Sequence, residues 1–181
     1  HPQCPCFLLG HSMGGLISAR LLLEDQTLYR GALLSGPAFA AEAPPPAIVI
    51  WIGKLLSRIA PKMGMIELDA AGVSRDPDVV ADYQADPLVN HGKVTTRLSV
   101  ELLSAMERVL RAAGDITLPI LLMHGAADAM AAPSGSQQFA ETVGSHDLTF
   151  KLLPDMYHEI FNEPEGPQVI AEFADWIEAR L

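Results

Sequence analysis

The segment CFLLGHSMGGLISARLLL, residues 6–23, predicts a buried strand, a sharp turn and a helix in direct succession. Its apolar residues at 6–9 form the predicted strand, which ends at Gly10, and small and aliphatic residues continue at helical spacing from Gly14. A second apolar run at 32–34, followed by Ser-Gly-Pro, predicts the next strand. A strand, a helix and a strand in this order are typical of a parallel β-α-β unit, so we expect an α/β fold.

The predicted elements divide the chain into three parts. Residues 1–37 hold the β-α-β unit, and residues 115–181 return to alternating strands and helices. Residues 38–114 open with a linker rich in proline and alanine, show helical periodicity and lack a convincing strand, so we interpret them as a helical cap inserted into the α/β core. Beyond residue 37, helices are predicted at about 48–59, from 76, and at 96–113, 134–143 and 167–181, with strands at 118–123 and 148–153.

The composition excludes several classes of function. With 12 Lys and Arg against 22 Asp and Glu, the net charge of −10 repels phosphate backbones, so no nucleic-acid partner is expected. Cys4 and Cys6 stand one residue apart, which suits two small apolar residues on a buried strand better than a disulfide or a zinc site. Because the sequence contains no His-Glu-x-x-His motif and no Cys/His cluster, we expect neither a metal nor a cofactor.

The turn Gly10-His11-Ser12-Met13-Gly14 is a G-x-S-x-G segment in the context that this motif requires, after a strand and before a helix. Such a nucleophile elbow presents a serine in strained backbone, and we expect glycine to be needed two residues before and two residues after it. Ser12 is therefore the candidate nucleophile. The Met13 N–H, at the start of the helix, is a candidate hydrogen-bond donor to an oxyanion.

A serine hydroxyl needs a base, and the base needs a carboxylate that orients it. Asp128 follows the strand predicted at 118–123, and His158 follows the strand predicted at 148–153. The carboxyl ends of parallel strands lie at one edge of a sheet, and the chain order serine, acid, histidine is expected of G-x-S-x-G hydrolases. We therefore predict a catalytic triad of Ser12, Asp128 and His158.

The competing carboxylates and histidines are less suitable because of their positions. Those that precede a strand lie at the opposite edge of the sheet. Asp155 stands at the correct edge but adjoins the loop of His158, where we expect a surface turn residue, and His91 lies in the segment interpreted as a cap. The ring of His11 is expected to point away from Ser12, and His124 is expected to pack or to cap a loop. The competing residues are Asp115, Asp147 and Asp155 for the acid, and His11, His91, His124 and His146 for the base.

Four segments carry a resemblance that extends over nearly the whole chain. FLLGHSMGG (7–15), LLMHGAAD (121–128) and YHEIFNEPE (157–165) resemble the nucleophile elbow, acid loop and histidine loop of the monoacylglycerol lipases of the α/β-hydrolase superfamily, and SRDPDVVADYQADPLVNHGKV (74–94) is similar to their cap. The resemblance implies the C-terminal part of an α/β-hydrolase fold, with a parallel sheet flanked by helices and a helical cap. It also implies the same triad, the Met13 amide as one oxyanion donor, and an apolar cap over an acyl tunnel.

The resemblance also implies strands before the elbow, and a loop after one of them supplies the second oxyanion donor. These strands have no counterpart in the sequence, which looks like a chain that has lost its beginning. We therefore expect the chain as given to lack part of the oxyanion hole and to expose a bare strand edge. Poor or no activity and poor stability should follow.

The predicted helix at 48–59 carries more apolar residues than one buried face requires. It is too short to span a membrane, and two interpretations stay open. The helix is either a lid packed on the core, or a face that guides acyl chains and touches a membrane or micelle surface transiently.

The predicted function is a serine ester hydrolase that cleaves fatty-acid monoesters of glycerol through an acyl-enzyme. The alternatives are a lysophospholipase or a general carboxylesterase and, in a different class, a non-catalytic ligand-binding protein on the same scaffold. We expect a cytoplasmic or membrane-peripheral location. The sequence predicts neither the acyl-chain length of the substrate nor the oligomeric state.

Overall fold

Six strands and six α-helices form within residues 4–43, 45–67 and 69–181, the part of the chain that the computed structural model describes. The strands are β1 (Phe7–His11), β2 (Gly31–Ser35), β3 (Gly64–Ile66), β4 (Val94–Thr95), β5 (Ile120–Gly125) and β6 (Leu148–Leu153). The helices are α1 (Met13–Leu22), α2 (Ala47–Ile59), α3 (Pro77–Ala85), α4 (Thr96–Ala112), α5 (Pro133–Thr142) and α6 (Gly166–Glu178). The strands predicted from apolar runs are all present.

The four long strands form a parallel sheet in the order β1-β2-β5-β6. Leu33 and Leu34 of β2 stand opposite Leu121 and Leu122 of β5, and every residue of these two central strands is buried. Continuous aliphatic runs of this kind are typical of strands that are covered on both faces. The parallel arrangement confirms the α/β class and places the carboxyl ends of the four strands at one edge.

Two apolar layers cover the faces of this sheet. On one face, Leu34 belongs to a buried cluster with Leu16 of α1 and Phe139 of α5. On the other face, Leu33 belongs to a buried cluster with Trp176 of α6. Adjacent residues of β2 contribute to opposite layers because successive side chains of a strand alternate between the two faces. The sheet is therefore flanked by helices on both sides.

The segment interpreted as a helical cap contains α2, α3 and α4, and also an antiparallel pair formed by β3 and β4. The expectation that this segment lacks strands was wrong. The two strands are only three and two residues long, and all side chains of β3 are exposed, so they leave no alternating apolar pattern in the sequence. Val109, near the end of α4, is buried in the main core, so this helix links the segment to the sheet. The boundaries at 38 and 114 stay a prediction.

Helix α2 buries two small residues and exposes most of its large apolar side chains. It packs against α4, and its buried residues are Gly53 and Ser57. By contrast, Ile48, Trp51 and Ile59 are exposed at 62%, 63% and 71%. An exposed apolar face of this kind is a candidate contact surface. Over the described ranges, no helix combines the length and the hydropathy needed to cross a bilayer.

Cys4 and Cys6 lie before β1 and not on it, and both thiols are free and exposed. The expectation of two buried residues on a strand was wrong, because the strand begins at Phe7. β1 stands at one edge of the described sheet, so few neighbouring atoms cover the segment that leads into it.

We expect Phe139→Ala to lower the free energy of unfolding by about 3–5 kcal/mol. Phe139 is fully buried, and its ring stacks on that of Phe39 with 4.6 Å between the centroids, so the substitution leaves a cavity. Leu88→Ala is the control, because Leu88 is 92% exposed, and its effect should stay within about 0.5 kcal/mol. Urea denaturation measures both variants, and equal effects would contradict the described core.

Candidate active site

The chain turns sharply at Ser12, between the end of β1 and the start of α1. Ser12 has φ 53° and ψ −122°, a conformation that a non-glycine residue keeps only where its surroundings enforce it. Backbone hydrogen bonds do so here. The N–H of Ser12 donates to the carbonyl of Ser35 at 3.0 Å, and the carbonyl of Ser12 accepts from the N–H groups of Gly15 and Ala38, both at 3.0 Å. The elbow therefore holds the serine at the carboxyl edge of the sheet and at a helix N-terminus.

Close backbone contacts at the elbow leave no room for certain side chains. A Cβ atom on Gly10 would lie 2.5 Å from the carbonyl oxygen of Gly14, and a Cβ atom on Gly15 would lie 2.7 Å from the Cβ atom of Pro37. A Cβ atom on Gly14 itself would meet nothing within 4 Å among the described residues. Glycine is therefore sterically required at positions 10 and 15. The expected steric need at Gly14 was wrong, because that position faces open space.

The structure brings together Ser12, Asp128 and His158, the three residues predicted to form the triad. Nε2 of His158 lies 2.8 Å from Oγ of Ser12, and Nδ1 of His158 lies 2.7 Å from Oδ2 of Asp128. The serine follows β1, the aspartate follows β5 and the histidine follows β6, so the shared edge of the parallel sheet accounts for their convergence. A hydroxyl, an imidazole and a carboxylate in this line can transfer the hydroxyl proton to the imidazole.

The carboxylate of Asp128 is buried and fully hydrogen-bonded. Oδ1 accepts from the N–H groups of Met130 at 2.8 Å and Ala131 at 3.0 Å, while Oδ2 faces the rings of His158 and His124. Burial alone would raise the pKa of Asp128. The hydrogen bonds from His124, His158 and the Ala131 amide outweigh burial and hold the pKa of this carboxyl well below its ordinary value. Asp128 is therefore ionised at neutral pH.

His124 is a second histidine on the same carboxylate, which the sequence reasoning did not predict. Its ring is fully buried, and Nε2 lies 3.0 Å from Oδ2 of Asp128 and 3.1 Å from the carbonyl oxygen of Ala131. Both partners accept hydrogen bonds, so Nε2 carries the proton, and the hydroxyl of Ser136 donates to Nδ1 at 2.7 Å. The four-residue spacing of His124 and Asp128 after a strand is the only signal in the sequence that could have indicated this contact.

His11 packs against His158. The two ring centroids are 4.9 Å apart, and Nδ1 of His11 lies 3.0 Å from the carbonyl oxygen of Ser35. The ring is therefore bound to β2, and the sequence reasoning had not predicted its contact with His158. Burial lowers the pKa of His11 below its ordinary value of 6.5, the neighbouring His158 lowers it further, and Glu159, Ser35 and Asp128 offset only part of this shift. A neutral ring is therefore favoured beside His158.

The N–H of Met13 opens helix α1 and has no hydrogen-bond acceptor among the residues that the structure describes. N–H groups in the first turn of a helix lack partners within the helix and favour negative charge nearby. A free donor therefore stands directly after the serine of the elbow.

A parallel sheet that carries a serine elbow, a carboxylate loop and a histidine loop along one edge defines the core of an α/β-hydrolase. The chain belongs to the family described as serine aminopeptidase, S33, whose sequence profile matches residues 1–165. The resemblance noted in the sequence is thus confirmed.

Several known proteins are similar to this chain over its whole length. The chain is 38% identical to a monoacylglycerol lipase of Mycolicibacterium smegmatis, covering 100% of this chain and 65% of that protein. It is 34% identical to the monoglyceride lipase of Rattus norvegicus, covering 100% and 61%. The crystal structure of Paleococcus ferrophilus monoacylglycerol lipase matches with a TM-score of 0.90 at 32% identity, over 98% of this chain and 69% of that one. The chain thus spans less than two thirds of the length of these two sequence relatives.

Gly10→Ala is expected to lower the free energy of unfolding by about 1–3 kcal/mol, because the added methyl group meets backbone atoms of the elbow. Gly14→Ala is the matched control. Its methyl group enters open space at a helical position, so stability should stay equal or rise by up to about 1 kcal/mol. Chemical denaturation of the two variants checks the elbow geometry, and an equal loss in both would disagree with it.

The lowered pKa of His11 predicts a dependence of stability on pH. Below pH 6.5 the unfolded chain takes up a proton at His11 more readily than the folded chain, so this residue makes the protein less stable as the pH falls. In His11→Gln, the free energy of unfolding should therefore decline less between pH 7 and pH 5 than in the wild type. Denaturation at several pH values measures this difference. Parallel pH curves for the two proteins would show that His11 does not titrate as described.

Proposed function

We propose that this chain carries the catalytic centre of a serine ester hydrolase that cleaves fatty-acid monoesters of glycerol. The observation that carries the proposal is the 2.8 Å contact between Ser12 and His158, continued at 2.7 Å to the ionised Asp128. The similarity to proteins named monoacylglycerol and monoglyceride lipases supports the choice of substrate.

In the first half of the reaction, Oγ of Ser12 attacks the ester carbonyl carbon while Nε2 of His158 takes the hydroxyl proton. Asp128 holds Nδ1 of the ring and stabilises the imidazolium that forms. The imidazolium then gives its proton to the glycerol oxygen, the carbon–oxygen bond breaks, and glycerol leaves. The fatty acyl group remains as an ester on Ser12.

In the second half, His158 takes a proton from a water molecule, and the resulting hydroxide attacks the acyl carbon. The bond to Ser12 breaks, its oxygen recovers the proton from His158, and the fatty acid is released. Each of the two attacks places negative charge on the former carbonyl oxygen. The free N–H of Met13 is the donor on this chain that we assign to that oxyanion.

The apolar face of α2 supports a lipid substrate. Trp51 and Ile59 are more than 60% exposed in the segment 38–114, which we assign as the cap. Such a face can bury itself in a lipid or micelle surface and admit an acyl chain from there. A transient contact of the cap with the lipid phase therefore belongs to this proposal.

A fluorophosphonate probe, which phosphonylates activated serines with loss of fluoride, tests the catalytic assignment. We expect the wild-type chain to be labelled at Ser12 and Ser12→Ala to remain unlabelled. His158→Gln should be labelled about 10²- to 10⁴-fold more slowly, since the serine loses its general base. His146→Gln is the matched control, because His146 is exposed and precedes β6 at the other edge, and its rate should equal that of the wild type.

Mass spectrometry locates the label. No label on the wild-type chain, or a label on Ser12→Ala, would overturn the assignment. Hydrolysis of monoacylglycerol, lysophospholipid and a short-chain ester, measured in parallel, separates the proposed substrate from a lysophospholipase or a general carboxylesterase.

A further inference from the structure

The loop that carries His158 is hydrogen-bonded to the segment 72–76, which precedes α3 in the part of the chain assigned as the cap. The N–H of Glu159 donates to the carbonyl of Val73 at 2.8 Å, and the N–H of His158 donates to the carbonyl of Gly72 at 3.4 Å. The backbone amides of His158 and Glu159 are therefore both bound to the segment 72–76. This segment is far away in the sequence and carries no residue of the triad.

An ion pair between a partly exposed arginine and a buried glutamate links the same two segments. The side chain of Glu163 has no exposed surface, and its Oε2 accepts from Nε of Arg75 at 2.8 Å. Its Oε1 accepts from the N–H of Tyr157 at 2.7 Å and from the N–H of Arg75 at 3.3 Å. The guanidinium of Arg75 also pairs with Glu165. A buried carboxylate is tolerated only with such partners, and the loss of one partner leaves an uncompensated charge in the interior.

Glu163 thus holds the backbone of Tyr157, the residue directly before His158. The imidazole of His158 must reach two partners at once, at 2.7 and 2.8 Å, and a displacement of about 1 Å at a reacting group can lower a rate by about 10²-fold. The reaction steps described above use neither Arg75 nor Glu163. Their contacts nevertheless hold the backbone next to His158.

We propose that Arg75 and Glu163 are positioning residues for His158: their ion pair binds the histidine loop to the segment 72–76 and keeps the imidazole within reach of Ser12 and Asp128. The base is then fully positioned only while this segment is seated on the loop, so the cap and the catalytic base are coupled. The proposal rests on the proposed function for its effect on catalysis, but the placement of the ring is measurable without catalysis.

The test compares Arg75→Met with the conservative variant Arg75→Lys, with Glu163→Gln, and with Arg111→Met as the matched control. Arg111 is exposed and pairs with Glu107 on its own helix, so its loss removes an ion pair that has no contact with the site. Three quantities are measured on each variant: the rate of fluorophosphonate labelling, kcat and KM for a p-nitrophenyl ester, and the far-downfield proton resonance of the His158–Asp128 hydrogen bond, assigned by its loss in His158→Gln.

For Arg75→Met we expect a labelling rate and a kcat that are about 10- to 100-fold lower, a KM within about twofold of the wild type, and a broadened or absent downfield resonance. Arg75→Lys keeps the charge and should recover most of each quantity. Glu163→Gln keeps an acceptor for the Tyr157 N–H but loses the ion pair, and should lie between the two. Arg111→Met should match the wild type.

A folded Arg75→Met that keeps the resonance and the labelling rate would overturn the proposal, as would a wild-type chain without the resonance. If Arg75→Met does not fold, Glu163→Gln decides, and an unchanged resonance in that variant overturns the proposal. A wild-type chain that shows the resonance but takes no label contradicts the proposed function instead. In that case the resonance of the variants still decides whether the ion pair positions the ring.

Discussion

The site depends on one buried carboxylate. Asp128 lies at 4% exposure, where an isolated charge would be strongly unfavourable, and it is stabilised by two amide donors of its own loop and by the rings of His124 and His158. Those donors come from the end of β5, from the loop after it and from the loop after β6. Because the proposed base is itself one of these donors, the stability of the buried charge and the placement of His158 depend on each other.

The parallel sheet brings together residues that are far apart in the chain. Ser12 and His158 are 146 residues apart in sequence, and they meet because parallel strands deliver their carboxyl ends to one edge. The strained backbone at Ser12 is stabilised from the same edge, through its hydrogen bond to the carbonyl of Ser35 on β2. The ring of His11 is bound to the same carbonyl. The buried strand β2 therefore fixes the positions of both Ser12 and His11.

Much of the fold and of the candidate site was predictable, because the signals are local. Aliphatic runs indicated the four parallel strands, and the glycines around Ser12 indicated the turn. The positions of Asp128 and His158 after strands indicated which side chains could meet. The pair β3 and β4 was not predictable in this way, since strands of three and two residues are too short to carry a periodic pattern. The free thiols before β1 were placed wrongly because an apolar run does not specify where its strand begins.

The sequence by itself determined the class of fold, the elbow and the order of the three candidate catalytic residues, since strand periodicity and turn chemistry act over a few neighbouring residues. Only the tertiary structure decided that His124 shares the carboxylate of Asp128, that His11 lies against His158, and that Arg75 reaches Glu163 across 88 residues of chain. Such contacts depend on how loops fold over a common edge. The sequence pattern does not specify loop paths, because buried polar groups select their partners by position in space and not by spacing along the chain.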